Sequence, residues 1–172
     1  MYPTAYIQFL THFHGDYDYF ECHEVLEEYW KLKPRGMRDN YWVGFIQIAV
    51  SLYHQRRLNW NGAAKMMKSA ITILEKEQDS VYKLGLDYQE LLSLLKKQLQ
   101  SIQIKESFTP IFLPILDISL ENTCIKLCTE RGLSWKNAQS FPNEYIVHKH
   151  TLRNRSDVIF ERNEQLKKRK QR

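Results

Sequence analysis

The chain has 172 residues, 43% of them hydrophobic and 13% aromatic, with only six Gly and five Pro. That composition admits one domain with a real core and disfavours a turn-rich β architecture. The net charge of +5 is unevenly placed: residues 149–172 hold nine Lys or Arg against three Asp or Glu, while the other 148 hold 16 against 17. The body is therefore near neutral, and its basicity sits in a tail that reads as a solvated, frayed end, so nucleic acid is not expected as a partner.

In chain order, Pro3 opens a short helix through Phe13 that Gly15 closes. Asp16 then caps a second helix from about Tyr17 to Lys33, stopped by Pro34 and Gly36. A third runs from about Asp39 to Leu58, apolar except at Gly44, Gln47, Ser51 and His54, and is expected to be the central, most buried element. Asn59 or Asn61 caps a fourth, with Ala63, Met66, Met67, Ala70, Ile71 and Leu74 facing inward. Asp87 and Glu90 have the spacing of a capping box ahead of Leu91, Leu92, Leu95, Leu99 and Ile102.

After Ser107 the texture changes. Phe108 to Leu116 is apolar with two prolines, which predicts an extended segment or edge strand. Ser119 to Arg131 reads as a helix ended by Gly132, and Glu144 to Lys149 alternates like a strand. From about Ile159 onward a helix fraying into solvent is expected. The predicted fold is all-α: an antiparallel helical bundle over residues 1–105, a small mixed appendage of two short strands and one helix over 106–158, and a basic end, partly disordered, over 159–172.

Three cysteines, Cys22, Cys124 and Cys128, form no CxxC pair, which argues for free thiols in a reducing, cytoplasmic setting. No secretion leader is expected, since no basic stretch and apolar run follow Met1. The longest apolar stretch, Val43 to Tyr53, contains Gln47 and Ser51 and is too short to span a bilayer, so no membrane association is expected.

Two polar clusters stand out within the helices. On the second helix His23 shares a face with Glu27, and Glu24 with Glu28. On the third lie Gln47, Tyr53 and His54, with Arg57 just beyond. The short connection at 33–38 makes the two helices antiparallel, with His23 level with Ile48 and Ala49 and His54 level with Asp18. The two histidines are thus offset by several ångströms along the axis. His23, Glu24 or Glu27, and His54 are suitable ligand types for a divalent metal. However, the chain has neither HExxH nor the paired Glu-x-x-His spacing of di-iron bundles, and no metal or other cofactor is predicted. The offset and missing spacings favour a seam in which His23, Glu27, Gln47 and His54 hydrogen-bond reciprocally, with Trp30 and Tyr53 filling its apolar part. A ligand or catalytic pocket using His23, Glu27 and His54 is the alternative, with nucleic-acid association through the tail a weaker one. His148 and His150 alternate on the predicted strand and read as surface residues.

The run Phe20-Glu21, His23-Glu24, Leu26-Glu27 and Trp30 resembles the first motif of the small helical proteins grouped as domain-of-unknown-function family 309. Gly44-x-x-Gln47-x-Ala49, Tyr53-His54, Asn59 and Gly62-Ala63 resemble its second motif. The resemblance covers about residues 10 to 75. It implies a compact, soluble, all-helical prokaryotic domain with no assigned activity, and it makes His23, Glu27, Gln47 and His54 the leading site candidates. The expected role is a binding or interaction module for an unknown protein or small molecule, and the aromatic-rich helices suit a homodimer.

Overall fold

The computed structural model describes residues 1–139 and 143–152. Among these the secondary structure is helical, and the only β pairing is an isolated bridge between Leu86 and Ile115. The elements are α1 (Thr4–Thr11) with a π-turn (His12–Asp16), α2 (Tyr19–Lys31), a 3-10 turn (Arg35–Met37), α3 (Asn40–Arg56), α4 (Trp60–Leu74), α5 (Gln78–Lys83), α6 (Tyr88–Gln103), α7 (Ile118–Glu130), α8 (Glu144–Val147) and α9 (Lys149–Leu152). The expected all-α class is observed.

The first turn differs from expectation. Gly15 does not close α1 but lies within the π-turn, where an added Cβ would meet Cys128 Sγ at 2.9 Å. The glycine thus serves close packing, and the chain reverses at Tyr17 with a φ of 56°. The cap of α2 is therefore Asp18, whose carboxylate accepts the Glu21 N–H at 3.0 Å. Asp16 instead accepts the Asp18 N–H and pairs with His12.

α3 is the central helix, packed against both α2 and α4. Rings at both ends of the α2–α3 contact, Tyr29 against Trp42 and Phe20 against Tyr53, show the pair to be antiparallel. Close approach of α3 and α4 depends on small side chains. An added Cβ on Gly44 would meet Leu74 Cγ at 2.8 Å, and Ser51 Oγ donates to the Ala63 carbonyl at 2.7 Å. The Asp87 cap of α6 is as expected, accepting the Glu90 N–H at 2.9 Å.

Neither predicted strand forms. Residues 108–116 are extended, but Pro110 and Pro114 have no N–H to offer a ladder. Contact with the α5–α6 connection is limited to the Leu86–Ile115 bridge and bonds such as Asp87 N–H to the Pro114 carbonyl at 2.9 Å. The second predicted strand is α8 and the start of α9. Asn143 caps it by accepting the Ile146 N–H at 2.9 Å, an Asx signal that outweighs the alternating pattern. The helix predicted between them is α7, which packs on α1. Ile111, Leu113, Leu120 and Cys124 join the same core as Tyr6, Phe9, Phe45, Met67 and Leu74. The frayed helix expected beyond Ile159 lies outside the described residues. No helix among the described residues is long and apolar enough to cross a membrane.

Candidate functional site

The antiparallel pairing brings one face of α2 against one face of α3, and a cavity of about 230 Å³ opens at the chain-reversal end of that groove. It is lined by Tyr19, Phe20 and His23 of α2, Val50, Tyr53 and His54 of α3, Arg57 at the end of α3, and His150 of α9. The axial offset expected between His23 and His54 does not separate them, because the cavity spans it. Trp30 lies elsewhere, lining a second cavity with Tyr29, Leu32, Lys33, Asp39 and Trp42, under the Arg38 guanidinium at 4.5 Å.

The reciprocal seam of four polar residues is not formed. Among the described residues no hydrogen bond joins His23 or Glu27 to Gln47 or His54. His23 is instead flanked by carboxylates of its own helix, Nδ1 at 3.1 Å from Glu24 and Nε2 at 3.3 Å from Glu27. The other Glu27 oxygen meets Lys31 at 2.9 Å. Glu24 is the next residue in the chain, and His23–Glu27 and Glu27–Lys31 have the i, i+4 spacing, so the backbone of one helix alone assembles them. Gln47 lies outside the cavity wall, and its Oε1 is buried without a hydrogen-bond partner among the described residues, as is the Trp30 Nε1.

His23, Glu24 and Glu27 offer ligand atoms within 4.8 Å of one another. However, the two carboxylates approach opposite nitrogens of one imidazole. The three ligand atoms are nevertheless close enough together to hold one metal ion. The two carboxylates also flank the His23 ring, which lines the cavity.

His54 is held differently. Its Nδ1 is 3.1 Å from the Asn59 amide nitrogen, and Asn59 Oδ1 accepts the Gly62 N–H at 3.1 Å as the cap of α4. Burial lowers its pKa below the ordinary 6.5, and the nearby Arg57 lowers it further.

Of the two histidines expected at the surface, His148 is exposed, whereas His150 is half-buried against Tyr53. Tyr53 OH lies 2.7 Å from His150 Nδ1 and also accepts the His150 N–H at 3.1 Å. Arg57 Nε donates to His148 Nδ1 at 3.4 Å. Between them Lys149 Nζ bonds Asp18 at 2.7 Å and Glu21 at 2.8 Å. Burial works against the Lys149 charge, but these two hydrogen-bonded carboxylates outweigh it and raise its pKa. No local signal could have found this docking, since about 97 residues separate Tyr53 from His150.

Beneath the cavity, Arg56 Nη1 donates to the Tyr17 carbonyl at 2.8 Å, and its guanidinium stacks near Tyr19, Phe108 and Tyr53. Its other buried nitrogens and the Tyr17 and Tyr19 hydroxyls have no hydrogen-bond partner among the described residues.

A helical bundle whose motif residues meet on a cavity wall is the class of protein this geometry defines. The family described as a domain of unknown function (DUF309) matches residues 6–66, which include both motifs. The chain is also 46% identical over 170 residues to the uncharacterized protein YpuF of Bacillus subtilis (strain 168), covering 99% of this chain and 98% of that one. The chain belongs to the DUF309 family, to which no specific function is assigned. No solved structure matches it.

Proposed function

We propose that this protein is a small-ligand-binding module whose site is the α2–α3 cavity. The observation that supports this reading is that His23 and Tyr53-His54, from motifs on two different helices, share one cavity wall with Arg57 and His150. A cavity of about 230 Å³ is smaller than most drug-sized sites, so the ligand is a small molecule rather than a nucleotide or a peptide. A rim of aromatic and apolar side chains with few polar groups is the usual composition of such sites. We place the protein in the cytoplasm, in keeping with three buried free thiols, Cys22, Cys124 and Cys128.

A fragment screen followed by 1H–15N NMR tests the reading. Binding fragments should shift the resonances of Phe20, His23, Tyr53, His54 and Arg57. Val50→Trp, which fills the cavity from its wall, should abolish those shifts while leaving a folded spectrum. Fragments that bind only elsewhere, or that bind the Val50→Trp protein unchanged, would refute it.

A further inference from the structure

We propose that the α2–α3 cavity takes a small organic anion, held by Arg57 and the Nε2–H of His54, with its apolar body against Phe20, Val50 and Tyr53. This rests on reading that cavity as a ligand site. The first support is the sign of the wall. Eight residues line the cavity; one is arginine, three are histidines, and none is Asp or Glu. The nearest carboxylates are already paired: Glu24 and Glu27 with His23 of the wall, Glu27 also with Lys31, and Asp18 and Glu21 with Lys149.

The second support is Arg57. Its Nε faces His148, and its guanidinium lies 5.4 Å from the Tyr53 ring centre. Among the described residues no carboxylate pairs with it, so its terminal N–H groups keep their capacity to donate to a ligand. A planar donor fork beside an aromatic ring suits a carboxylate-bearing planar molecule.

The third support is the tautomer of His54. Asn59 must turn its oxygen to the Gly62 N–H, which leaves its NH2 group toward His54. That NH2 can only donate, so His54 Nδ1 accepts and the ring proton resides on Nε2. Gly62 is part of the device, because an added Cβ there would lie 2.7 Å from Asn59 Nδ2 and displace the amide. The chain of Gly62, Asn59 and His54 thus leaves His54, one of the lining residues, with its ring N–H at Nε2 as the donor the proposal uses. The lowered His54 pKa is consistent with this neutral tautomer near pH 7.

Benzoate and its neutral isostere benzamide are the probes, titrated calorimetrically into the full chain. Benzoate should bind at least about tenfold tighter than benzamide, the discrimination expected of charge-assisted hydrogen bonds. Arg57→Gln should reduce benzoate affinity by about tenfold and leave benzamide affinity nearly unchanged. His54→Leu should weaken benzoate while His54→Gln, which retains an N–H donor, recovers part of the loss. Each variant is first checked for an unchanged melting temperature. In the unmutated protein, long-range 1H–15N spectra should show His54 as the Nε2–H tautomer. Equal affinity for benzamide and benzoate, or an Nδ1–H tautomer at His54, overturns the anion assignment while leaving the cavity as a ligand site. Binding of neither probe, together with no cavity-directed fragment, overturns both.

Discussion

Lowering the pH from 7 to 5 should destabilise this protein through His14, a buried residue that does not line the candidate cavity. His14 is fully buried, with Nδ1 donating to the Leu10 carbonyl at 3.0 Å and Nε2 accepting the Leu113 N–H at 3.0 Å. Trp135 and Phe112 lie against the ring, with centroids at 4.7 and 6.1 Å. Protonation would put a second N–H against the Leu113 N–H and a charge in an apolar interior. Burial accordingly lowers its pKa from 6.5 to about 3, with Lys136 adding to the shift and the Leu10 hydrogen bond opposing it. The folded pKa lies below the unfolded one, so the stabilisation is fully present above about pH 6.5. It is lost progressively as the pH falls toward 3. At 1.36 kcal/mol per pH unit below 6.5, the loss between pH 7 and 5 is about 2 kcal/mol. His54, whose pKa is also lowered, contributes in the same sense, so the comparison must be differential. Urea unfolding at both pH values would be measured for the unmutated protein and for His14→Phe. The variant should be less stable at pH 7, because it strands the Leu113 N–H, but should lose about 2 kcal/mol less on acidification. Equal losses in the two proteins would refute the argument.

Other perturbations test the packing and the site's frame. Gly44→Ala forces the buried Leu74 side chain from its place between α3 and α4, at a cost of about 1–3 kcal/mol by chemical denaturation. Glu27→Ala removes ion pairs made only within α2 and should cost under about 1 kcal/mol; a sharp fall in melting temperature would show that Glu27 holds two helices together after all. Lys149→Met unpairs the buried Asp18 and the partly buried Glu21, and hydrogen exchange at residues 144–152 should rise while that of α6 stays unchanged. Asn59→Ala removes the cap of α4 and should lower stability by about 1 kcal/mol in thermal unfolding.

The bundle helices and the order of the motifs were legible in the sequence because they rest on local rules. Helical periodicity predicts α3 as the buried centre, the Asp87–Glu90 spacing marks the start of α6, and i, i+4 stacking gathers His23 with Glu27. Where two local signals compete, only packing chooses between them. Asp18 caps α2 instead of Asp16, because Gly15 is needed against Cys128 and the reversal moves to Tyr17. Asn143 turns a strand-like run into α8.

The site divides along the same line. Residue type and spacing alone single out His23, Glu27, Gln47, Tyr53, His54 and Arg57 as an unusual polar set. The tertiary structure decides that His23, Tyr53, His54 and Arg57 share a cavity wall while Gln47 and Trp30 do not, and that Glu27 turns back along its own helix. It also brings in His150, through Lys149 reaching Asp18 and Glu21 across the fold. Spacing along a helix is a property of the backbone and can be read from one chain segment. Which faces meet, and what segment lies over them, depends on burial summed over the whole molecule, and no local pattern encodes it.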